Sequence, residues 1–307
     1  MFLLDSSSPS LDATATRLAR EAVRALYAEL VLEPKPGLVS LRDTGSHHDM
    51  DAGHFVRSLF ALRHYFAHMV RAGARRAAFD ELQTLGLQAE ARMLRATGGI
   101  NTHRGAVFCL GLLCASAGWR VARGLPLSSE GLRTTLRQAW GPTLRERAAQ
   151  ARQRPPASNG QRVAREHGLR SAGDEAALGF PVLFEHTLPA LRQALSRGWP
   201  DRRARVQALF ATLAVLDDTN LVHRGGLAGL HFARQQARCF LDQGGAQGAD
   251  WPERARALHA EFVARRLSPG GAADLLGAAC WLQAVTTSCP VPAPVPRAVL
   301  AGLAGLV

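Results

Sequence analysis

A chain of 307 residues that is 47% hydrophobic and 20% charged carries enough apolar content for a full core, which excludes an intrinsically disordered protein. Its formal net charge of +12 attracts polyanions, yet the arginines fall in scattered doublets such as Arg75-Arg76, Arg202-Arg203 and Arg265-Arg266, and only two tyrosines occur. Without basic-aromatic interleaving a nucleic-acid-binding surface ranks a distant third, and a phosphorylated small molecule suits the charge better.

In chain order, hydrophobic periodicity predicts helices almost throughout. Ala15, Leu18, Ala19, Ala22, Leu26 and Leu30 recur at helical spacing and place a first helix at about 12–32, ended by Pro34 and Pro36. Phe55, Leu59, Leu62, Phe66 and Met69 share one face of a second, over 51–72. Further windows cover 77–95, 102–118, 129–151, 172–196, 202–216, 226–240, 252–267 and 272–285. No strand-like alternation or βαβ pattern intervenes. The expected fold is all-α: one globular multi-helix catalytic domain over 1–307, its site formed by helix ends and Gly/Pro-rich loops. The stretch Arg152 to Gly160, with two prolines and an Asn-Gly pair, predicts a mobile loop.

The longest uncharged run, Gly105 to Trp119, is short for a membrane span and suits a buried helix. Met1 to Ser10 lacks the basic and apolar regions of a secretory signal. Five cysteines (Cys109, Cys114, Cys239, Cys280, Cys289) show no CxxC pairing, and Cys109 and Cys114 read as core thiols. A reducing cytoplasm without membrane association is expected.

Four polar clusters interrupt the helices at their ends. Gly45-Ser46-His47-His48-Asp49-Met50-Asp51 sets two carboxylates beside paired histidines. Hard oxygen donors of this kind suit Mg²⁺ or Mn²⁺, while simple helix capping by Asp49 or Asp51 explains them equally well. Gly98-Gly99-Ile100-Asn101-Thr102-His103-Arg104-Gly105 opens the apolar helix, where free N–H groups attract phosphate. Capping by Asn101 or Thr102 leaves the His103-Arg104 pair unexplained. In Asp217-Asp218-Thr219-Asn220-Leu221-Val222-His223-Arg224-Gly225-Gly226, adjacent acids follow an apolar run, an arrangement relieved by a cation in a cleft. Ser268-Pro269-Gly270-Gly271-Ala272-Ala273-Asp274 reads as a turn into a helix, the weakest signal of the four. Of 37 basic residues only Lys35 is a lysine, which points to a place where a compact ammonium serves and a planar guanidinium does not. Acids, glycine-rich helix starts and the lone lysine together suggest a metal-bound polyphosphate.

Six motifs also follow one another in a recognisable order. They are Pro34-Lys35-Pro36-Gly37-Leu38-Val39; His48-Asp49-Met50; Asn101-Thr102-His103-Arg104-Gly105; Gly179-Phe180-Pro181 after Asp174-Glu175-Ala176; Asp218-Thr219-Asn220 through Arg224 and Gly226; and Ser268-Pro269-Gly270-Gly271 before Ala273-Asp274-Leu275-Leu276. Spread over about 20–285, this order resembles the triphosphoribosyl-dephospho-coenzyme A synthases. Arg104 stands where that pattern usually has Lys, Gly173-Asp174-Glu175 replaces Arg-Gly-Glu, and Glu33 replaces a small hydroxyl residue.

The resemblance implies an all-α enzyme that joins Mg²⁺-bound ATP to 3′-dephospho-CoA and releases adenine. The product, 2′-(5″-triphosphoribosyl)-3′-dephospho-CoA, is the prosthetic-group precursor for the acyl-carrier subunit of malonate decarboxylase or citrate lyase, with a lean to the former from the Arg-rich composition. A separate phosphoribosyl-dephospho-CoA transferase attaches it; that transferase and the acyl-carrier subunit are the implied functional partners, and a homo-oligomer is left open. Under this resemblance Asp49, Asp217 and Asp218, with Asp51 as a further candidate, hold Mg²⁺. Lys35, Arg104 and Arg224 hold phosphate oxygens, and Asn101 and Asn220 orient ligands. His103 protonates departing adenine, and Asp218 or Glu185 serves as base. The rival enzyme classes are a Mg²⁺-dependent nucleotide hydrolase, for which the flanking His and Asp are not evident, and an ADP-ribose glycohydrolase, which Asp217-Asp218-Thr219 resembles.

Overall fold

The computed structural model describes residues 10–156 and 158–287, and Cys289 lies outside them. The described residues are helical with no strands, so the all-α expectation holds. In chain order the helices are α1 (Leu11–Leu30), α2 (Ala52–Leu62), α3 (Tyr65–Ala74), α4 (Phe79–Ala96), α5 (Arg104–Val121), α6 (Ser129–Ala139) and α7 (Gly141–Gln153). They continue with α8 (Asn159–His167), α9 (Ala172–Ala177), α10 (Leu188–Ser196), α11 (Asp201–Leu213), α12 (Thr219–Asp242), α13 (Trp251–Ala264) and α14 (Gly270–Thr287), with a π turn at Leu183–Thr187 running into α10.

The uncharged run forms α5, buried from Ala106 to Gly118 except at the half-buried Phe108. It packs against α3, α14, α6, α4 and α1 and is the axis of the core. Its crossing with α3 is close: a Cβ on Gly118 would fall 1.8 Å from the carbonyl oxygen of Val70, so only glycine permits that approach. Trp281 of α14 is fully buried and its Nε1 donates to the Leu18 carbonyl of α1 at 3.1 Å. Phe210 of α11 stacks on Phe240 of α12 with centroids 3.8 Å apart. Each such side chain contributes roughly 1.5–3 kcal/mol of burial. Cys109 and Cys114 are buried thiols, as their position in the run implies.

Three long windows are divided in the structure. The 51–72 window breaks at Arg63, whose N–H tightens onto Phe60 and whose guanidinium also donates to the Phe60 carbonyl at 2.6 Å. The 129–151 window breaks at Trp140, where the indole reaches across to the Ala77 carbonyl and Pro142 cannot donate the next helical bond. The 172–196 window breaks at Gly179 and Phe180, both at positive φ, immediately before Pro181. The 152–160 stretch is shorter as a loop than expected. Helix α7 continues to Gln153, and Ser158 caps α8 by accepting from the Gln161 N–H at 3.2 Å, so Asn159-Gly160 forms a helical first turn. Among the described residues, no helix is long and apolar enough to cross a membrane.

Candidate active site

All four clusters arrive at one cavity of about 730 Å³, within the roughly 300–1,000 Å³ usual for small-molecule sites. Glu29 enters from the end of α1, and His47, Asp49 and Met50 from the α1–α2 connection. Asn101 through Gly105 supply the start of α5, Ser158 through Gln161 that of α8, and Thr219, Asn220, His223 and Arg224 that of α12. Ser268, Gly270, Gly271, Ala273 and Asp274 bring in the start of α14. Helix N-termini carry unpaired N–H groups and partial positive charge, so their convergence suits an anion. Arg104, Arg147 and Arg224 add formal charge to the wall.

Six of the candidate residues line this cavity: Asp49, Asn101, His103, Arg104, Asn220 and Arg224. The Asn101 side chain accepts from the Arg104 N–H at 3.1 Å and so starts α5, while the Arg104 guanidinium pairs with Glu90 at 2.9 Å. Arg224 donates to the Ser46 carbonyl at 3.0 Å and to Nδ1 of His47 at 2.8 Å. A guanidinium only donates, so His47 Nδ1 accepts and its Nε2–H faces the Ser268 hydroxyl at 2.8 Å. Burial first, then Arg224, lowers the His47 pKa to about 4, and the ring is neutral at pH 7. Asp49 stays exposed beside it, 3.7 Å away.

The other candidates sit elsewhere. Lys35 is buried, its Nζ donating to Glu29 Oε1 at 2.6 Å and to the Glu29 carbonyl at 2.8 Å. The lone ammonium is thus occupied inside the protein, and it is Glu29 that reaches the cavity. Asp51 caps α2, accepting from the His54 N–H at 3.0 Å; that bond above all lowers its pKa. Asp217 accepts from Arg234 at 2.6 Å and from the Arg170 N–H at 3.1 Å. Asp218 is buried, with Oδ1 accepting from the Asn220 N–H at 2.9 Å and Oδ2 from the Ala272 N–H at 3.0 Å. It pins the start of α12 to that of α14. Burial pushes its pKa up and those N–H bonds pull it back. Glu185 is exposed on the π turn, paired with Arg133 at 2.6 Å and away from the cavity wall.

The four acids expected around Mg²⁺ are therefore not one cage. Among the described residues no three His, Cys, Asp or Glu side chains group as a metal site. The donor chemistry still suits Mg²⁺ arriving on a triphosphate, since that ion is usually held by one or two carboxylates plus phosphate oxygens, and Asp49 is available for that. Because Glu185 belongs to an exposed ion pair, Glu185→Gln is expected to leave steady-state kcat/KM within about twofold.

Besides Glu90, which pairs with Arg104, two lining acids are absent from the sequence-based set. Asp274 accepts from the Ala106 N–H and lies so near α5 that a Cβ on Gly105 would fall 2.0 Å from its Oδ2. Burial pushes its pKa well above the usual carboxylate range, and the neighbouring charges of Glu29 and Asp218 push it further. Glu29 is the other, and its signal is present in the sequence: it falls on the apolar face set by Ala22, Leu26 and Leu30. An acid at such a position needs a buried partner. His103 is buried against the edge of Phe55, with Nδ1 2.7 Å from the Ser58 hydroxyl and no hydrogen-bond partner at Nε2 among the described residues. Burial, then Lys35, lowers its pKa to about 3, so it carries no spare proton at neutral pH and does not fit the role of a protonated general acid.

Residues 15–289 match the family described as ATP:dephospho-CoA triphosphoribosyl transferase. The chain is 38% identical over 284 residues to a probable 2-(5″-triphosphoribosyl)-3′-dephosphocoenzyme-A synthase of Vibrio cholerae serotype O1, covering 90% of each. It is 37% identical over 271 residues to a probable synthase of the same name from Acinetobacter calcoaceticus, covering 88% of this chain and 91% of the relative. It is 37% identical over 269 residues to the 2-(5″-triphosphoribosyl)-3′-dephosphocoenzyme-A synthase of Pectobacterium atrosepticum, covering 86% of this chain and 87% of the relative. No solved structure matches the chain. With five of the six ordered motifs contributing residues to one cavity and the match running through nearly all the described residues, the chain belongs to the ATP:dephospho-CoA triphosphoribosyl transferase family.

Proposed function

We infer that this enzyme transfers the triphosphoribosyl group of ATP to 3′-dephospho-CoA, releasing adenine and making the precursor of a CoA-derived prosthetic group. The observation that carries this is the meeting, in one cavity, of several helix N-termini, an arginine-bearing wall, and a carboxylate and imidazole held at its lining. The C1′–N9 bond of ATP breaks with its electron pair passing to adenine. The 2′-oxygen of the dephospho-CoA ribose bonds to C1′, its proton leaves to a carboxylate, and adenine gains a proton on release. Charge develops on the ribose ring as in glycoside cleavage.

Asp274 is the base in this scheme, since it lines the cavity and burial raises its affinity for the proton it must take. Asp49 would be the protein carboxylate toward a Mg²⁺ carried by ATP, an ion that would supply neutralisation of triphosphate charge. Arg104 and Arg224 hold phosphate oxygens, and Asn101 and Asn220 order the backbone around them. The client is the acyl-carrier subunit of malonate decarboxylase in preference to citrate lyase, the reaction being cytoplasmic.

Chromatography with mass detection on purified enzyme given Mg-ATP tests this. Adenine appearing only when 3′-dephospho-CoA is present, with a product of the summed mass less adenine, is the expected result. Adenine release without the second substrate would make the enzyme a nucleotide hydrolase instead.

A further inference from the structure

Ser58 lies fully buried in the middle of α2, with no part in any cap or turn. The Oγ is 2.7 Å from Nδ1 of His103, which sits 45 residues away at the start of α5. Both groups are neutral, and two protonation arrangements satisfy that distance. In one, Nδ1–H donates to the hydroxyl oxygen, and the hydroxyl hydrogen is then left in the core without an acceptor. In the other, the hydroxyl donates to a bare Nδ1 and nothing is orphaned on the α2 side. Each arrangement leaves one buried donor unmet, at a cost of about 1–3 kcal/mol. The hydroxyl hydrogen belongs to Ser58, which is not part of the cavity wall, whereas the Nε2–H belongs to His103, which is. The second is therefore the arrangement that a bound ligand completes.

An imidazole with a bare Nδ1 carries its hydrogen on Nε2. That nitrogen is buried and has no hydrogen-bond partner among the described residues, while the residue itself is part of the cavity lining. The unmet donor therefore belongs to a residue of the wall that substrate meets. Phe55 packs T-shaped with the ring, centroids 5.1 Å apart, and Lys35 is the charged group that acts on it, disfavouring a second proton.

We propose that Ser58 is a positioning residue: its hydroxyl fixes His103 as the Nε2–H tautomer, which presents a neutral donor to the acceptor nitrogens of the departing adenine. The donor stabilises the electron pair that adenine receives when the C1′–N9 bond breaks, without giving up its own hydrogen. A neutral imidazole can do this at any pH well above its own titration, as a protonated acid cannot. The assignment to adenine rests on the function proposed above; the tautomer does not.

Two measurements test it. Nitrogen NMR of the full chain labelled with ¹⁵N-histidine, with the His103 signal identified by its loss in His103→Gln, should show unprotonated Nδ1 and protonated Nε2 for that ring. Protonated Nδ1 in the wild type overturns the proposal whatever the enzyme's reaction proves to be. In Ser58→Ala the ring should populate both tautomers, and kcat should fall about tenfold or more, as when the orienting partner of a functional histidine is lost. KM for ATP should move by less than about threefold, and Ser58→Thr, which keeps a hydroxyl, should recover part of kcat. A Ser58→Ala enzyme with an altered tautomer but undiminished kcat overturns the catalytic part. Absence of adenine release from the wild type would refute the proposed function and leave the tautomer result standing.

Discussion

Asp274→Asn is expected to lower kcat for adenine release by about 10²–10⁴-fold, the range for loss of a positioned base, while making the protein more resistant to unfolding at neutral pH. The amide can keep the bond from the Ala106 N–H and fits the space left by Gly105, so the fold has no reason to change. What it loses is a charge held in a half-buried site near two other acids. The stability effect has a definite sign. The folded pKa of Asp274 is raised above its unfolded value, so its contribution is fully present at pH below the unfolded pKa, about 3.9. It is lost as pH rises through the folded pKa. The variant does not titrate there, so its advantage in melting temperature over wild type should grow from pH 4 to pH 8. Thermal unfolding across that range together with single-turnover kinetics separates the two effects. Activity within threefold of wild type would remove Asp274 from the chemistry, and a pH-independent melting difference would show that its charge is already compensated.

Lys35→Met should be the most destabilising single substitution in the site region. Both partners of the Lys35–Glu29 pair are buried, with side-chain exposures of 1% and 7%, so solvent does not screen what is lost. Removing one member of a buried pair costs about 3–5 kcal/mol because the other charge stays in the interior. Chemical denaturation should show that loss, and the double variant Glu29→Gln with Lys35→Met should recover most of it. Lys35→Arg should also fall below wild type, since a five-donor fork does not fit a slot offering one carboxylate oxygen and one carbonyl. If Lys35 instead held a substrate phosphate, these variants would keep their stability and lose only affinity for ATP.

The lone lysine shows how far a sequence signal reaches. Its rarity marked a position that only an ammonium fills, and it is filled that way, but by an acid six residues earlier in the chain and not by phosphate. Glu29 itself was visible as a charge on an apolar helical face; the link between the two needed the chain to turn back on itself through residues 31–35. Likewise the clusters around Asp49, His103 and Arg224 were legible because Gly, Asn, Asp and His at helix starts do chemistry or capping wherever they occur. The choice between those two tasks depends on which neighbour supplies the hydrogen-bond partner. For Asp51 it is the His54 N–H one turn on, for Asp217 the side chain of Arg234, and for Asp218 the N–H of Ala272, 54 residues away.

Helical period, the uncharged run from Gly105 to Trp119 and the ordered motifs determined an all-α protein of this family by themselves, because local spacing decides which face of a helix is apolar and motif order survives drift elsewhere. Tertiary structure alone decided where long windows break, that Ser158 through Gln161 joins the cavity wall, and that Asp274 and Glu29 line it while Glu185 does not. It also decided that His103 is neutral, held from α2 by a serine 45 residues away. Burial and hydrogen-bond partnership are properties of the packed chain, and a residue's protonation follows from them more than from its own kind.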